Sequence, residues 1–247
     1  MPLYFLIPFI ILIISWIPRQ ESFKEQQMRY PRVRASYSEK FPALRKELDS
    51  LGIGDFDLFI RAFKVDEEFE VWIKNKNEEH YQLFRTYDIC SSSGRPGPKR
   101  RRGDLQVPEG FYHINVFNPY SNFYLSLGIN YPNRSDRILS KADYPGGDIY
   151  IHGSCVTIGC IPLTDEIIKE LYVLAVEART SRQDRIPVHI FPTRLHNNYM
   201  ENLYYLAEGD PDLLSFWMNL KEGFDYFEIH LTLPEISVDD SGTYIIR

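Results

Sequence analysis

A histidine and a cysteine lie eight residues apart in a short glycine-rich stretch, at His152 and Cys160. A thiol is a strong nucleophile only as the thiolate, so a reactive cysteine needs a base or a cation beside it. Gly153 and Gly159 flank the residues between them, and glycine allows the tight turns that fold a loop back on itself. The pattern predicts that Cys160 is a nucleophile and that His152 is its general base.

The same loop offers backbone groups for the negative charge of an acyl-transfer reaction. Gly159 has no side chain beside Cys160, so neighbouring N–H groups could face a developing oxyanion. We expect Gly153, Ser154 and Gly159 to form this oxyanion loop. Tyr150, at the start of the stretch, is predicted to contact the substrate.

A zinc site is the alternative from a different chemical class. His152, Cys155 and Cys160 could supply three ligands at permissible spacing, but the sequence shows no fourth. We therefore predict no metal and no other cofactor. Bound metal in the purified protein would separate the two hypotheses.

The stretch His152 to Cys160, His-Gly-Ser-Cys-Val-Thr-Ile-Gly-Cys, resembles the catalytic signature of the L,D-transpeptidase (YkuD-like) family of peptidoglycan enzymes. In that family a His-Gly loop precedes a Gly-Cys nucleophile, and the compact form is typical of its YafK-like branch. The resemblance implies the same roles for Cys160 and His152. Two other family positions do not carry over, because Ile158 replaces a second histidine and Pro162 replaces an arginine.

The resemblance also implies a fold and a reaction. The expected fold is mixed α/β and mainly β, a YkuD-like β-sandwich or curved sheet with the catalytic loop followed by a helix, plus peripheral helices. The expected reaction is L,D-transpeptidation of peptidoglycan stem peptides through a Cys160 thioester. Hydrolysis of stem peptides or of murein–protein links is the alternative, since the YafK-like branch is associated with releasing lipoprotein from murein. An inactive wall-binding module is a further alternative, which the intact His152 and Cys160 disfavour.

Composition limits the remaining functions. The chain of 247 residues has a formal net charge of −6, whereas nucleic-acid-binding proteins carry a basic surface. Its three cysteines are too few for a disulfide scaffold. An odd number leaves at least one thiol unpaired, and the motif nominates Cys160.

The N-terminal region predicts an exported protein. Residues 2–17 are almost continuously apolar, slightly fewer than the roughly 20 residues that span a bilayer. We expect residues 1–18 to be a signal peptide or membrane anchor, residues 19–54 a polar tether with a short helix at 41–51, and residues 55–247 the catalytic domain with a C-terminal extension. Basic residues follow the apolar run, which favours a cytoplasmic body. The resemblance outweighs this and implies a periplasmic or other extracytoplasmic location, because the substrate exists only outside the inner membrane.

Hydrophobic patterning predicts the elements around the motif. Strands are expected at residues 58–65, 69–74, 81–87, 111–114, 122–127, 149–151 and 186–191. Thr164 is expected to cap a helix over residues 165–178, and a second helix is expected at 211–221, with a polar loop at 130–137. Because the first helix begins shortly after Cys160, its positive end should favour the thiolate.

The segment from Cys90 to Asp104 is a loop rich in basic residues. Arg95, or the run from Lys99 to Arg102, could bind the carboxylates of stem peptides, because the guanidinium fork grips a carboxylate with two hydrogen bonds. A solvated surface loop is the alternative. Among the histidines outside the motif, three are predicted to be structural: His113, His189 and His230.

Overall fold

The computed structural model describes residues 21–140 and 142–247. The predicted signal peptide or anchor at residues 1–18 lies outside the described residues. Within the two described ranges, no helix is both long enough and apolar enough to cross a lipid bilayer.

These residues fold around an eight-stranded sheet. Its strands are β1 (Phe56–Phe63), β2 (Glu68–Asn75), β3 (Gln82–Asp88), β4 (Gly110–Asn118), β5 (Ser126–Ile129), β6 (Tyr150–His152), β7 (Ile161–Pro162) and β8 (Pro187–Phe191). A separate antiparallel ribbon consists of β9 (Ile236–Val238) and β10 (Tyr244–Ile246). The helices are α1 (Phe23–Gln27), α2 (Pro31–Ser50), α3 (Arg134–Leu139), α4 (Asp165–Thr180), α5 (Met200–Leu206) and α6 (Pro211–His230).

The strand order is β3-β2-β1-β8-β4-β5-β6-β7. The pairs β1–β8 and β6–β7 are parallel, and the other neighbours are antiparallel. In β4, which joins the two halves of the sheet, the register shifts between Ile114 and Val116, and such a bulge bends a strand and increases its twist. The expected mixed, mainly β fold, with the motif loop followed by a helix, is confirmed in its curved-sheet form.

Strand β1 lies at the centre of the structure and is buried on both faces. Ile60 and Ala62 join the core beneath α2 and α4, whereas Phe59 and Phe63 contact Phe227 and Phe224 of α6. Successive side chains of a strand point to opposite faces. A central strand covered on both sides therefore has the nearly continuous apolar sequence that is seen here.

The polar N-terminal segment is helical where the sequence predicted a tether. Helix α2 begins with Pro31, which suits a first turn, and buries Val33 and Leu48 against α4 and the sheet. The hydroxyl of Tyr37 donates to Glu177 Oε1 of α4 at 2.7 Å. The tether prediction is wrong for α1 and α2, because their polar residues form the solvent-facing side of helices that pack on α4.

Three local predictions also differ from the structure. Residues 130–137 contain the start of α3, since Asn133 and Asp136 form a reciprocal capping box. The strand expected at 122–127 begins only at Ser126. Helix α6, which was expected at residues 211–221, extends to His230.

Candidate active site

The motif loop connects the neighbouring parallel strands β6 and β7. His152 ends β6 and pairs with Pro162, while Ile151 pairs with Ile161. Because side chains alternate along a strand, Cys160 lies on the same face as His152, opposite the fully buried Ile151. Standard strand spacing and rise place the Cα atoms of His152 and Cys160 roughly 8 Å apart.

Cys160 is a partly exposed free thiol. Its Sγ accepts a hydrogen bond from the N–H of Tyr150 at 3.4 Å and donates to the carbonyl of Asp148 at 3.8 Å. Burial raises the pKa of the Cys160 thiol. The hydrogen bond from the Tyr150 N–H and the charge of Lys99 lower this pKa, but they offset the effect of burial only in part. The thiol is therefore neutral at rest, and its activation requires a base.

His152 is almost completely buried, with 2% of its surface exposed. Its Nδ1 lies 2.6 Å from the Gly153 carbonyl, so the neutral ring carries its proton on Nδ1 and leaves Nε2 as the acceptor. The Phe123 ring stacks on the imidazole at a centroid distance of 4.5 Å. Burial lowers the pKa of His152, which favours a neutral base. Among the contacts of the described residues, no hydrogen bond joins the ring to Cys160.

Helix α4 contacts the beginning of the motif loop. Thr164 caps the helix by accepting the Ile167 N–H at 3.3 Å, as predicted. Asp165 Oδ1 accepts the Ser154 N–H at 3.0 Å and would lie 2.5 Å from a Cβ atom on Gly153. The first turn of α4 thus contacts Ser154 through the Asp165 carboxylate. Burial raises the pKa of Cys160, although the sequence led us to expect a favoured thiolate.

Thr157 is a site residue that the sequence analysis missed. Its Oγ1 accepts the N–H groups of Gly159 at 3.1 Å and Cys160 at 2.9 Å, and its hydroxyl donates to the Cys160 carbonyl at 2.7 Å. Threonine often bonds the backbone two and three residues further along the chain, so the order Thr-x-Gly-Cys was the available signal.

The N–H groups assigned to an oxyanion hole are therefore not free in this structure. Those of Gly159 and Cys160 are bonded to Thr157, that of Ser154 to Asp165, and that of Gly153 to a carbonyl of the β4–β5 connection. Buried N–H groups require a partner. A substrate oxygen can use the first two only after displacing the threonine hydroxyl.

A disulfide joins Cys155 to Cys90, which follows β3, with the Cα atoms 5.4 Å apart. The Cys90 N–H also donates to the Pro162 carbonyl at 3.1 Å. The expectation that Cys160 is the unpaired thiol is confirmed. The zinc alternative loses Cys155 as a ligand, and residues 21–140 and 142–247 contain no group of three or more residues arranged to hold a metal.

The segment that continues the basic loop as far as Glu109 packs directly against the motif loop. The Gln106 carbonyl would lie 3.0 Å from a Cβ atom on Gly159, whose φ is +134°. The segment is fixed by the buried ammonium group of Lys64. Its Nζ lies 2.9–3.2 Å from four acceptor oxygens: the carbonyls of Arg95, Gly97 and Val107, and Oε1 of Glu109. Glu109 also accepts the indole N–H of Trp217 in α6 at 2.8 Å.

Half of the predicted basic run is used inside the protein. Lys99 pairs with Asp104, and Arg100 pairs with Asp136, so these two side chains are not available as free carboxylate binders. The Arg95 side chain is exposed, and the backbone N–H of Arg95 donates to Gln106 Oε1. Among the described residues, the hydrogen bonds of Arg95 involve Lys64 and Gln106, and none involves Cys160.

The histidines outside the motif lie away from this loop. His189 is buried between Phe59 and Phe111, and burial lowers its pKa to about 3. His113 is half-buried in β4, and His230 is exposed at the end of α6.

Comparison with known proteins identifies relatives. The family of the L,D-transpeptidase catalytic domain (YkuD) matches residues 62–190. YafK of Escherichia coli strain K12, named as a candidate L,D-transpeptidase, is 36% identical over 191 residues, covering 76% of this chain and 73% of YafK. The cell-shape-determining protein Pgp2 of Campylobacter jejuni has a TM-score of 0.44 at 20% identity, covering 75% of this chain and 74% of Pgp2. Bd1075 of Bdellovibrio bacteriovorus has a TM-score of 0.39 at 22% identity, covering 62% and 56%.

The disulfide should stabilise the folded state. Its cysteines are 65 positions apart, so a Cys90→Ala/Cys155→Ala variant should lose about 2–4 kcal/mol of unfolding free energy in urea denaturation. Wild-type protein treated with a reductant should behave like the variant. Equal stability of the variant and the untreated wild type would contradict this role.

Thr157 should matter through its hydroxyl. Thr157→Val leaves the two N–H groups without their acceptor and should lower the free energy of unfolding by about 1–3 kcal/mol. Thr157→Ser keeps the oxygen atom and should retain most of that stability. Equal unfolding free energies of the valine and serine variants in urea denaturation would rule out a role for the hydroxyl.

Proposed function

The chain belongs to the L,D-transpeptidase catalytic domain family and is an enzyme of that type; from this premise we propose that it cross-links peptidoglycan stem peptides through a thioester on Cys160. One observation carries this assignment: an accessible free thiol shares a face of β6 and β7 with a buried histidine whose neutral form is favoured. No cofactor takes part in the proposed reaction.

The reaction begins with proton transfer at the moment of attack. His152 Nε2 accepts the proton of Cys160, and the thiolate attacks a carbonyl carbon of the stem peptide at an L-to-D centre. The N–H of Tyr150, which already contacts Sγ, stabilises the thiolate. His152 then returns the proton to the departing amine, leaving a thioester on Cys160.

Resolution of the thioester determines the product. The amine of a second stem peptide attacks the thioester and forms a new amide, which is transpeptidation. Water attacking in its place gives hydrolysis. A murein-linked protein on the departing side would already have left as the amine when the thioester formed. The oxyanion of each step is held by the N–H groups of Gly159 and Cys160 once the substrate oxygen replaces the Thr157 hydroxyl. Gly153 and Ser154 shape the other side of the loop.

The substrate is proposed to contact two groups at the rim. The Tyr150 ring is half-buried beside Gly128 in β5, where a Cβ atom on that glycine would lie 3.0 Å from Cε1 of the tyrosine. Arg95 is exposed in the basic loop and is proposed to meet a stem carboxylate. The backbone N–H of Tyr150 thus contacts the Cys160 sulfur, whereas its ring is proposed to contact the substrate.

The proposed location is outside the cytoplasm, in the periplasm of a cell with two membranes. The Cys90–Cys155 disulfide supports this, because disulfides persist mainly in oxidising compartments. Residues 1–18 are proposed as the export signal or membrane anchor.

Mass spectrometry of the full chain incubated with a disaccharide-tetrapeptide and a free amine tests the function. A covalent adduct on Cys160 with amine exchange identifies a transpeptidase, and an adduct with only a shortened peptide identifies a hydrolase. Cys160→Ala should abolish the adduct and both products. No adduct in the wild type would reject the proposal.

His152→Ala should slow acylation by roughly 100- to 10,000-fold, the range for a positioned general base. His230→Ala, at the exposed end of α6, is the matched control and should leave the rate unchanged. Because burial lowers the pKa of His152, the neutral base persists below the ordinary histidine range. When the acylation rate of the wild type is measured against pH, its decline on the acid side should therefore lie below the ordinary histidine range. A wild-type profile that falls at or above the ordinary range would contradict the assignment.

The location can be tested with a reporter fused after Arg247. A reporter that is active only outside the cytoplasm should function, and deletion of residues 1–18 should abolish its signal. A fusion that is active only in the cytoplasm would reject both the location and a peptidoglycan substrate.

A further inference from the structure

The ring of Phe123 covers the imidazole of His152. The two rings stack at a centroid distance of 4.5 Å and an interplanar angle of 28°. Phe123 itself is 39% exposed, whereas His152 is 2% exposed. An aromatic residue that only filled a core would be buried. Phe123 instead stands between solvent and the proposed base.

The imidazole is fixed in two directions. The Gly153 carbonyl, 2.6 Å from Nδ1, limits rotation within the plane of the ring. The stacked Phe123 ring limits tilting out of that plane. Together the two contacts direct Nε2, the proton-accepting atom, and exclude water from one face of the imidazole.

Phe123 is held by the connection between β4 and β5. Its N–H donates to Ser121 Oγ at 3.1 Å, and its carbonyl oxygen would lie 2.8 Å from a Cβ atom on Gly153. The next residue, Tyr124, has a φ of +68°, a left-handed conformation that non-glycine residues adopt only when the surroundings enforce it.

Arg32, in the first turn of α2, is bonded to the loop at this point. Its guanidinium donates to the carbonyls of Ser121 at 2.6 Å and Tyr124 at 2.8 Å, on both sides of Phe123. The guanidinium also lies 5.7 Å from the Tyr124 ring centroid. One side chain of an N-terminal helix thereby fixes the loop that carries Phe123.

We propose that Phe123 is a positioning residue for His152, and that Arg32 keeps Phe123 in place from α2. This inference deepens the proposed function, since it rests on His152 being the base. The N-terminal helix α2 thus contributes to catalysis through the orientation of the base, without touching the substrate.

The charged and titratable groups around His152 define what a titration will report. Asp165 of α4 is bonded to the Ser154 N–H, and Cys160 lies across β6 and β7. Arg32 of α2 and Lys169 of α4 face Tyr124 rather than the imidazole. Burial is the largest influence on the pKa of His152, so removal of its cover should dominate the response.

NMR titration of the His152 imidazole in the full chain tests the proposal, with the signal assigned by its loss in His152→Gln. Phe123→Ala should raise the pKa of His152 towards the ordinary histidine value, because the ring becomes hydrated. Phe123→Tyr keeps the stacked ring and should retain the wild-type titration. Tyr120→Ala, a 72% exposed position in the same loop, is the matched control.

Acylation of Cys160 by the disaccharide-tetrapeptide is the second readout. Phe123→Ala should lower its rate roughly 3- to 10-fold, the effect of losing one aromatic pair, with its acid limb moved to higher pH. Arg32→Gln should change both readouts in the same direction, and Arg32→Lys should restore them in part. Arg32→Gln, which releases the loop that carries Phe123, serves if the alanine variant does not fold.

An unchanged His152 titration in folded Phe123→Ala or Arg32→Gln would overturn the proposal, as would equal losses in Phe123→Tyr and Phe123→Ala. The titration does not require turnover. If the wild type forms no adduct, the proposed function fails, while the NMR result still decides whether Phe123 positions the imidazole.

Discussion

The buried ammonium group of Lys64 is the interaction on which the arrangement of the site depends. Lys64 directly follows the central strand β1, and its ammonium group is bonded to the backbone carbonyls of Arg95, Gly97 and Val107 and to the carboxylate of Glu109. Burying such a charge is costly unless it is paired and fully hydrogen-bonded. The loop therefore has little freedom to leave this position, and its Gln106 carbonyl forms one side of the space beside Gly159.

Burial has opposite effects on the two proposed reacting groups, and both effects favour the neutral form. It raises the pKa of the Cys160 thiol and lowers that of His152, because an apolar environment disfavours any charge. An ion pair is then not stored in the resting enzyme. This arrangement suits a mechanism in which the proton moves only when a substrate carbonyl is in place, and the partly exposed thiol avoids being a permanent thiolate.

Sequence reasoning was most successful where a local pattern has a single structural solution. The apolar and aromatic residues of β1 and β2 predicted both strands, and Thr164 predicted the start of α4. It failed for α2, where polar residues suggested a tether. Whether a polar helix remains in solvent or packs on the protein depends on the surface it meets, and α4 supplies that surface with Tyr37 bonded to Glu177.

The sequence by itself determined the motif, the unpaired cysteine and the mainly β class, because residue types and spacing along the chain define them. Only the tertiary structure decided which groups are free to act. It bonded Cys155 to Cys90, packed the Gln106 carbonyl beside Gly159, and placed Phe123 over the imidazole. These partners come from different strands and loops. Their pairing depends on the packing of the whole sheet and its helices, which no short stretch of sequence contains.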